Sequence, residues 1–113
     1  MSVQIVFFVS GTGRSPVRET IGKLPKEDRA RFVEVAEEIE RHGLECVRVQ
    51  FRQLEGKLWE IKFKAPGGGF RVAYVVIEKD RMVWLHAFKK QKRKASRSDL
   101  ELARRRMKEV LGS

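Results

Sequence analysis

Residues 70–89 read Phe70-Arg71-Val72-Ala73-Tyr74-Val75-Val76-Ile77-Glu78-Lys79-Asp80-Arg81-Met82-Val83-Trp84-Leu85-His86-Ala87-Phe88-Lys89. β-Branched and aromatic residues dominate both halves, and the polar break at Lys79-Asp80 marks a turn, so the stretch predicts a hairpin of strands 70–78 and 81–89. If Lys79-Asp80 is a two-residue loop, Glu78 pairs with Arg81, Tyr74 with Leu85, Ala73 with His86, and Arg71 with Phe88. Alternation then puts Val72, Tyr74, Val76, Val83, Leu85 and Ala87 on a core face. Arg71, Ala73, Val75, Trp84, His86 and Phe88 fall on the opposite face.

The preceding segment joins the same scheme. In strand 58–64, Trp59, Ile61 and Phe63 alternate with Glu60, Lys62 and Lys64, and matching apolar to apolar puts the charged set on the face of Arg71 and His86. Ala65-Pro66-Gly67-Gly68-Gly69 makes the turn between them. Further back, Phe32, Val35, Ala36 and Ile39 form one apolar stripe of a helix opened by Pro25. That helix is closed by Gly43, with Leu44 as the hydrophobic contact of the cap. His42 sits in its last turn, where a cation suits the helix dipole. Ser15-Pro16 starts a shorter helix, with a capping hydroxyl and proline at the first helical position. Residues 3–9 form a short apolar strand that reads as buried. Gly11-Thr12-Gly13-Arg14 breaks it as a plain turn, since the lysine and spacing of a phosphate loop are missing. After the basic run 89–97, Ser98-Asp99-Leu100-Glu101 reads as a capping box. It opens a helix with Leu100, Ala103, Met107, Val110 and Leu111 on one stripe. The expected fold is α+β, ordered β-α-α-β-β-β-α. A small twisted sheet carries two N-terminal helices and one C-terminal helix, in a single domain over residues 1–113.

Length and charge narrow the function. A chain of 113 residues with 42% hydrophobic content holds one modest core, which excludes a disordered basic tail. No apolar run approaches the roughly 20 residues of a membrane span, and a signal-peptide pattern is missing. The lone Cys46 can form neither an internal disulfide nor a cysteine-based zinc site, which fits a cytoplasmic protein. The net charge of +10 is unevenly placed. Residues 1–56 carry 9 basic and 9 acidic side chains, whereas residues 57–113 carry 16 and 6. The excess points to a polyanion, with an acidic protein partner or a plainly solvated surface as the alternatives.

The face that collects Glu60, Lys62, Lys64, Arg71 and His86, with Trp84 and Phe88 beside them, suits RNA chemistry. Aromatic and arginine planes stack bases, and lysines neutralise phosphate. Cleavage of a phosphodiester by its own 2′-OH needs a base, cations for the charged phosphorane and an acid for the leaving oxygen. His86 or Glu60 fits the proton transfers, and Arg71 has the fork geometry for phosphate oxygens. The same residues admit blander roles: a strand histidine that only hydrogen-bonds, aromatics under a helix, and lysines guarding an edge strand. There is no constellation of metal-ligand spacing, so neither a metal nor a cofactor is expected.

Leu54-Glu55-Gly56-Lys57-Leu58-Trp59-Glu60-Ile61-Lys62-Phe63, Phe70-Arg71-Val72-Ala73-Tyr74, Leu85-His86-Ala87-Phe88-Lys89-Lys90 and Ala103-Arg104-Arg105-Arg106-Met107 together resemble segments of phage-derived toxins of the RelE/HigB superfamily. Ser15-Pro16-Val17 fits the first helix of such proteins. The resemblance implies the toxin of a type II toxin–antitoxin pair. Its activity would be that of a metal-independent endoribonuclease cutting mRNA on translating ribosomes by 2′-OH attack. It places Arg71, His86, Lys62, Glu60 and Lys90 as catalytic candidates. Lys57, Lys64, Trp84, Phe88, Lys89, Lys92, Arg93 and Lys94 are candidates for RNA binding. The partners implied are mRNA, the ribosome and a cognate antitoxin with a helix-turn-helix DNA-binding domain. The chain lacks the C-terminal tyrosine of the best-known ribosome-dependent toxins, and its only tyrosine, Tyr74, lies on the expected core face. His86 is the substitute. The alternatives are a gyrase inhibitor of the ParE type and a non-enzymatic nucleic-acid-binding module.

Overall fold

The computed structural model describes residues 3–46 and 48–112. Strands β1 (Gln4–Phe7), β2 (Gln50–Glu55), β3 (Leu58–Ala65), β4 (Gly68–Ile77) and β5 (Arg81–Lys89) form one sheet in the order β1-β5-β4-β3-β2. Helices α1 (Pro16–Gly22), α2 (Lys26–His42) and α3 (Arg97–Leu111) flank it. The α+β class and the expected succession hold, with one strand added. Gln50-Phe51-Arg52-Gln53-Leu54-Glu55 was not expected as β2, because its two apolar residues are three apart. A register shift between Gln53 and Glu55 breaks the period of two by which a strand is recognised. β1 is shorter than residues 3–9 and pairs parallel with β5 along one margin, so it is an edge strand rather than a buried one.

Helix α2 presents the expected stripe, with Phe32, Val35 and Ile39 buried against Ile61, Phe63, Val72, Tyr74 and Trp84. Helix α3 covers the other face, where Ala103 is buried, and Leu100, Met107 and Val110 partly so, over Leu58, Ala73, Val75 and Leu85. Leu111 is left outside, 37% exposed. Three local expectations change. Gly43 ends α2 at φ 62° with its N–H donating to the Ile39 carbonyl, but Leu44 is 62% exposed and makes no cap contact. The chain instead tightens into a 3₁₀ turn at Gly43–Glu45. Ser15 stands before Pro16 as expected, yet its hydroxyl makes no capping bond. The cap of α3 is Ser96, two residues earlier than the expected box Ser98–Glu101: Ser96 Oγ accepts from the Asp99 amide at 3.1 Å. The turn at Gly11-Thr12-Gly13-Arg14 is a plain one, closed by Ser10 and Arg14.

The β4–β5 hairpin departs from the expected register in half its length. Its loop has three residues, Glu78-Lys79-Asp80, because Ile77 pairs with Arg81. Glu78 and Lys79 take φ 53° and 72°, one residue earlier than a type I′ loop at Lys79-Asp80 would place its left-handed pair. Near the loop Tyr74 therefore pairs with Trp84, not Leu85. A bulge at Leu85 then inserts one residue and restores Ala73 opposite His86 and Arg71 opposite Phe88, as expected. The bulge decides which side chains face which way. Trp84 moves to the α2 face, wholly buried against Phe7 and Phe32, while Leu85 joins His86 on the α3 face.

One clamp fixes the β3–β4 turn. Asp28 of α2, 3% exposed, accepts the Gly67 amide at 2.7 Å. A Cβ on Gly67 would stand 2.2 Å from Asp28 Oδ2, so an alanine there must expel the carboxylate and leave it unbonded. Gly67→Ala is expected to lower stability by about 1–3 kcal/mol, measured by urea unfolding, and Asp28→Asn to cost less because it keeps the acceptor.

Candidate functional site

The antiparallel register of β3 and β4 puts Glu60 opposite Ala73, Lys62 opposite Arg71 and Lys64 opposite Gly69. The expected charged face of the sheet is therefore present, but it is not open. The chain leaves β5 at Lys89, crosses this face through residues 90–96, and turns into α3. Glu60 and Arg71 lie beneath it, 0% and 1% exposed. Arg71 Nη1 donates to Glu60 Oε1 at 2.6 Å. Its Nη2 donates to the carbonyl of Lys92 at 2.9 Å and to that of Arg93. The guanidinium fork thus binds a carboxylate on one side and the backbone of the basic loop on the other. Glu60 Oε2 and Arg71 Nε have no partner among the described residues. Arg71 and Glu60 therefore do not lie on an exposed face, contrary to expectation; they tie the loop to the sheet.

His86 is half-buried. Its Nε2 lies 2.8 Å from Asp99 Oδ1, and Asp99 Oδ2 accepts from Ser96 Oγ at 2.7 Å. Burial lowers the His86 pKa below the ordinary imidazole value, outweighing the opposite pull of the Asp99 bond and charge, and Arg106 adds to the lowering. The imidazole is therefore neutral at pH 7. Donation of Nε2–H to Asp99 leaves the lone pair on Nδ1. Burial alone would raise the Asp99 carboxyl, but the bonds from His86 and Ser96 hold it below the usual range. Phe88 stacks on the imidazole, with centroids 4.7 Å apart and planes at 20°. Arg106 of α3 donates to the carbonyl of the bulged Leu85 at 2.9 Å, fixing the backbone next to His86.

Phe88 and Asp99, which stack on and bond to His86, line a cleft of about 640 Å³ whose other walls are Arg71 and residues 89–97. Seven of its lining residues are basic and only Asp99 is acidic. Lys89, Lys90, Lys92, Arg93 and Lys94 therefore converge as expected. Lys90 also borders a second basic hollow with Lys62 and Lys64. Lys57 does not join them: it occupies the β2–β3 turn, at the end of β3 opposite Lys64. Trp84 is excluded from the site by its burial on the α2 face. Tyr74 sits in the same core against Phe51, where burial pushes its hydroxyl up to about 12, and it does not line the cleft.

Asp99 and Arg106 were missed by the sequence reading. The spacing Ser96-x-x-Asp99 was a usable signal for the first. No pattern announces the second, because its partner is a carbonyl freed by the bulge. Among the described residues, no group of three or more His, Cys, Asp and Glu side chains is placed to hold a metal ion, and no helix is long and apolar enough to cross a membrane.

A five-stranded sheet backed by two helices, with a third helix delivering a carboxylate to a strand histidine beside a cationic cleft, defines a small basic α+β protein whose charge converges at one end of the sheet. The chain belongs to the phage-derived Gp49-like family (DUF891), whose profile matches residues 19–108 and so spans every residue of this site. No curated protein matches the chain.

Proposed function

We propose that this protein is the toxin of a type II toxin–antitoxin pair and an endoribonuclease that cuts mRNA on translating ribosomes, in the cytoplasm, under the control of a cognate helix-turn-helix antitoxin. The association of the Gp49-like family with toxin–antitoxin systems supports the first part. The observation that carries the second is the neutral His86, paired to Asp99 and stacked on Phe88, two residues that line a cleft with seven basic side chains.

In this reading His86 Nδ1 takes the 2′-OH proton, the 2′ oxygen bonds to phosphorus, and the bond from phosphorus to the 5′ oxygen breaks. The leaving oxygen takes a proton from the Lys90 ammonium. The products are a 2′,3′-cyclic phosphate and a 5′-hydroxyl end. Lys62 and the loop lysines offset the charge of the phosphorane. Phe88, stacked on His86, offers an aromatic surface for a base next to the scissile bond. Arg71, paired to Glu60, shapes the cleft by donating to the carbonyls of residues 92 and 93.

The test is cleavage of end-labelled mRNA with and without translating ribosomes. Ribosome-stimulated cutting that leaves cyclic-phosphate ends is the expected result. RNA binding without any cut product would reject the nuclease reading, and inhibition of DNA gyrase in its place would replace it.

A further inference from the structure

The second basic hollow, about 670 Å³, lies beside the first residue of β2, where residues 63–65 of β3 run beyond the pairing with β2. Lys62 and Lys64 stand two residues apart on one face of β3, hence about 6.6 Å along it. Lys90 borders the hollow on one side, and Arg31 of α2 and Arg48 border it on the other. None of its lining residues is acidic. Arg31 is partly engaged, donating to the Lys64 carbonyl at 2.9 Å and to Glu34 at 2.8 Å. Arg48 is 69% exposed and 4.0 Å from Glu38. Even with those two carboxylates counted, five cations leave a net positive surface. It is contiguous with the cleft beside His86, because Lys90 lines both.

We infer that this hollow is the second half of one RNA track. It holds the phosphates of the same single strand on one side of the scissile bond, and Lys90 stands at the junction. The inference rests on the nuclease reading for the chemistry of the first cleft. In-line attack by a 2′ oxygen requires a nucleotide freed from helical geometry, so the strand that enters beside His86 is single. A single strand leaving that cleft past Lys90 meets a row of lysines on an extended strand and then Arg48. Backbone recognition of this kind carries no sequence preference. The hollow therefore sets affinity and the required length of RNA, not the cut site.

The experiment uses the full chain and RNAs of four and twelve nucleotides carrying a 2′-O-methyl group at the cleavage position, with binding followed against salt. Arg48→Glu combined with Lys64→Gln is expected to weaken the twelve-nucleotide RNA at least tenfold. It is also expected to flatten its logarithmic salt dependence by about 1.4, two phosphate contacts at roughly 0.7 each. The four-nucleotide RNA should lose much less. Both side chains are exposed, and Arg48→Gln alone, expected to weaken the longer RNA about threefold and flatten its slope by about 0.7, guards against a folding defect in the double variant. Equal losses for both lengths, or an unchanged salt slope, would overturn the inference while leaving the nuclease reading standing. Tight binding of an acidic peptide that RNA cannot displace would overturn it too. Length-dependent RNA binding through Arg48 and Lys64 by a wild-type protein that never cuts would support the track and reject the nuclease.

Discussion

Replacing His86 by alanine is expected to lower RNA cleavage by about 10²–10⁴-fold, the usual contribution of a positioned general base, with RNA affinity changed little. The imidazole is held neutral near pH 7, because burial disfavours its charged form. Its Nε2 is anchored to Asp99, so the basic nitrogen is Nδ1. Its plane is fixed by Phe88. The pH profile adds a second measurement. A base must be unprotonated, so the rate falls on the acid side with a midpoint below the ordinary imidazole value of about 6.5. Above that value the profile is flat until another group titrates. Asp99→Asn removes the carboxylate that pulls the histidine pKa back up, so the acid limb moves to still lower pH while the rate falls. The same shift enters stability. The neutral form is favoured in the fold, so the contribution of His86 is fully present above its unfolded pKa and is lost as pH falls through the folded one. Unfolding by urea at a series of pH values reads that loss, and a His86→Ala protein should not show it.

The largest effect on stability is expected at Glu60 and Arg71. Both are fully buried and paired at 2.6 Å. Glu60→Ala or Arg71→Ala leaves a charge in the sheet without its partner, which costs about 3–5 kcal/mol. The double replacement Glu60→Leu, Arg71→Met leaves no charge behind and is expected to recover most of that loss. It cannot restore the bonds from the guanidinium to the carbonyls of residues 92 and 93. The double variant should therefore fold with near-normal stability in urea. Its amides in residues 90–96 should exchange faster, and its RNA affinity and cleavage should both be reduced. A double variant with normal exchange and normal cleavage would show that the loop holds itself and that Arg71 contributes to folding alone.

The residues of this site were legible to different degrees, for reasons that can be named. Lys62, Arg71, His86 and Phe88 were brought together by strand alternation, which survives small errors because its period is two. Trp84 was misplaced by the same rule, since a three-residue loop and a bulge at Leu85 each shift parity by one. The two shifts cancel beyond the bulge, which is why Ala73 opposite His86 and Arg71 opposite Phe88 were right while Tyr74 opposite Leu85 was wrong. β2 escaped notice because an irregular edge strand buries only two half-covered apolar side chains, Phe51 and Leu54. Burial of Glu60 and Arg71 was beyond strand reasoning altogether. It depends on where residues 90–96 cross the sheet, and no local pattern encodes a loop that is held by a side chain about twenty residues away.

What the amino-acid order alone determined is the element types, the hairpin core, the family-like segments and the location of the charge excess in residues 57–113. Each of these follows from short-range periodicity or composition. Tertiary structure decided how that charge is used. It enclosed one arginine with a glutamate to hold the loop. It delivered Asp99 to His86 from a helix thirteen residues on, and it added Arg31 and Arg48 from the electrically balanced half to the lysines of β3. Electrostatic and hydrogen-bond partners are chosen by distance in space, and distance is set only when helices and sheet pack.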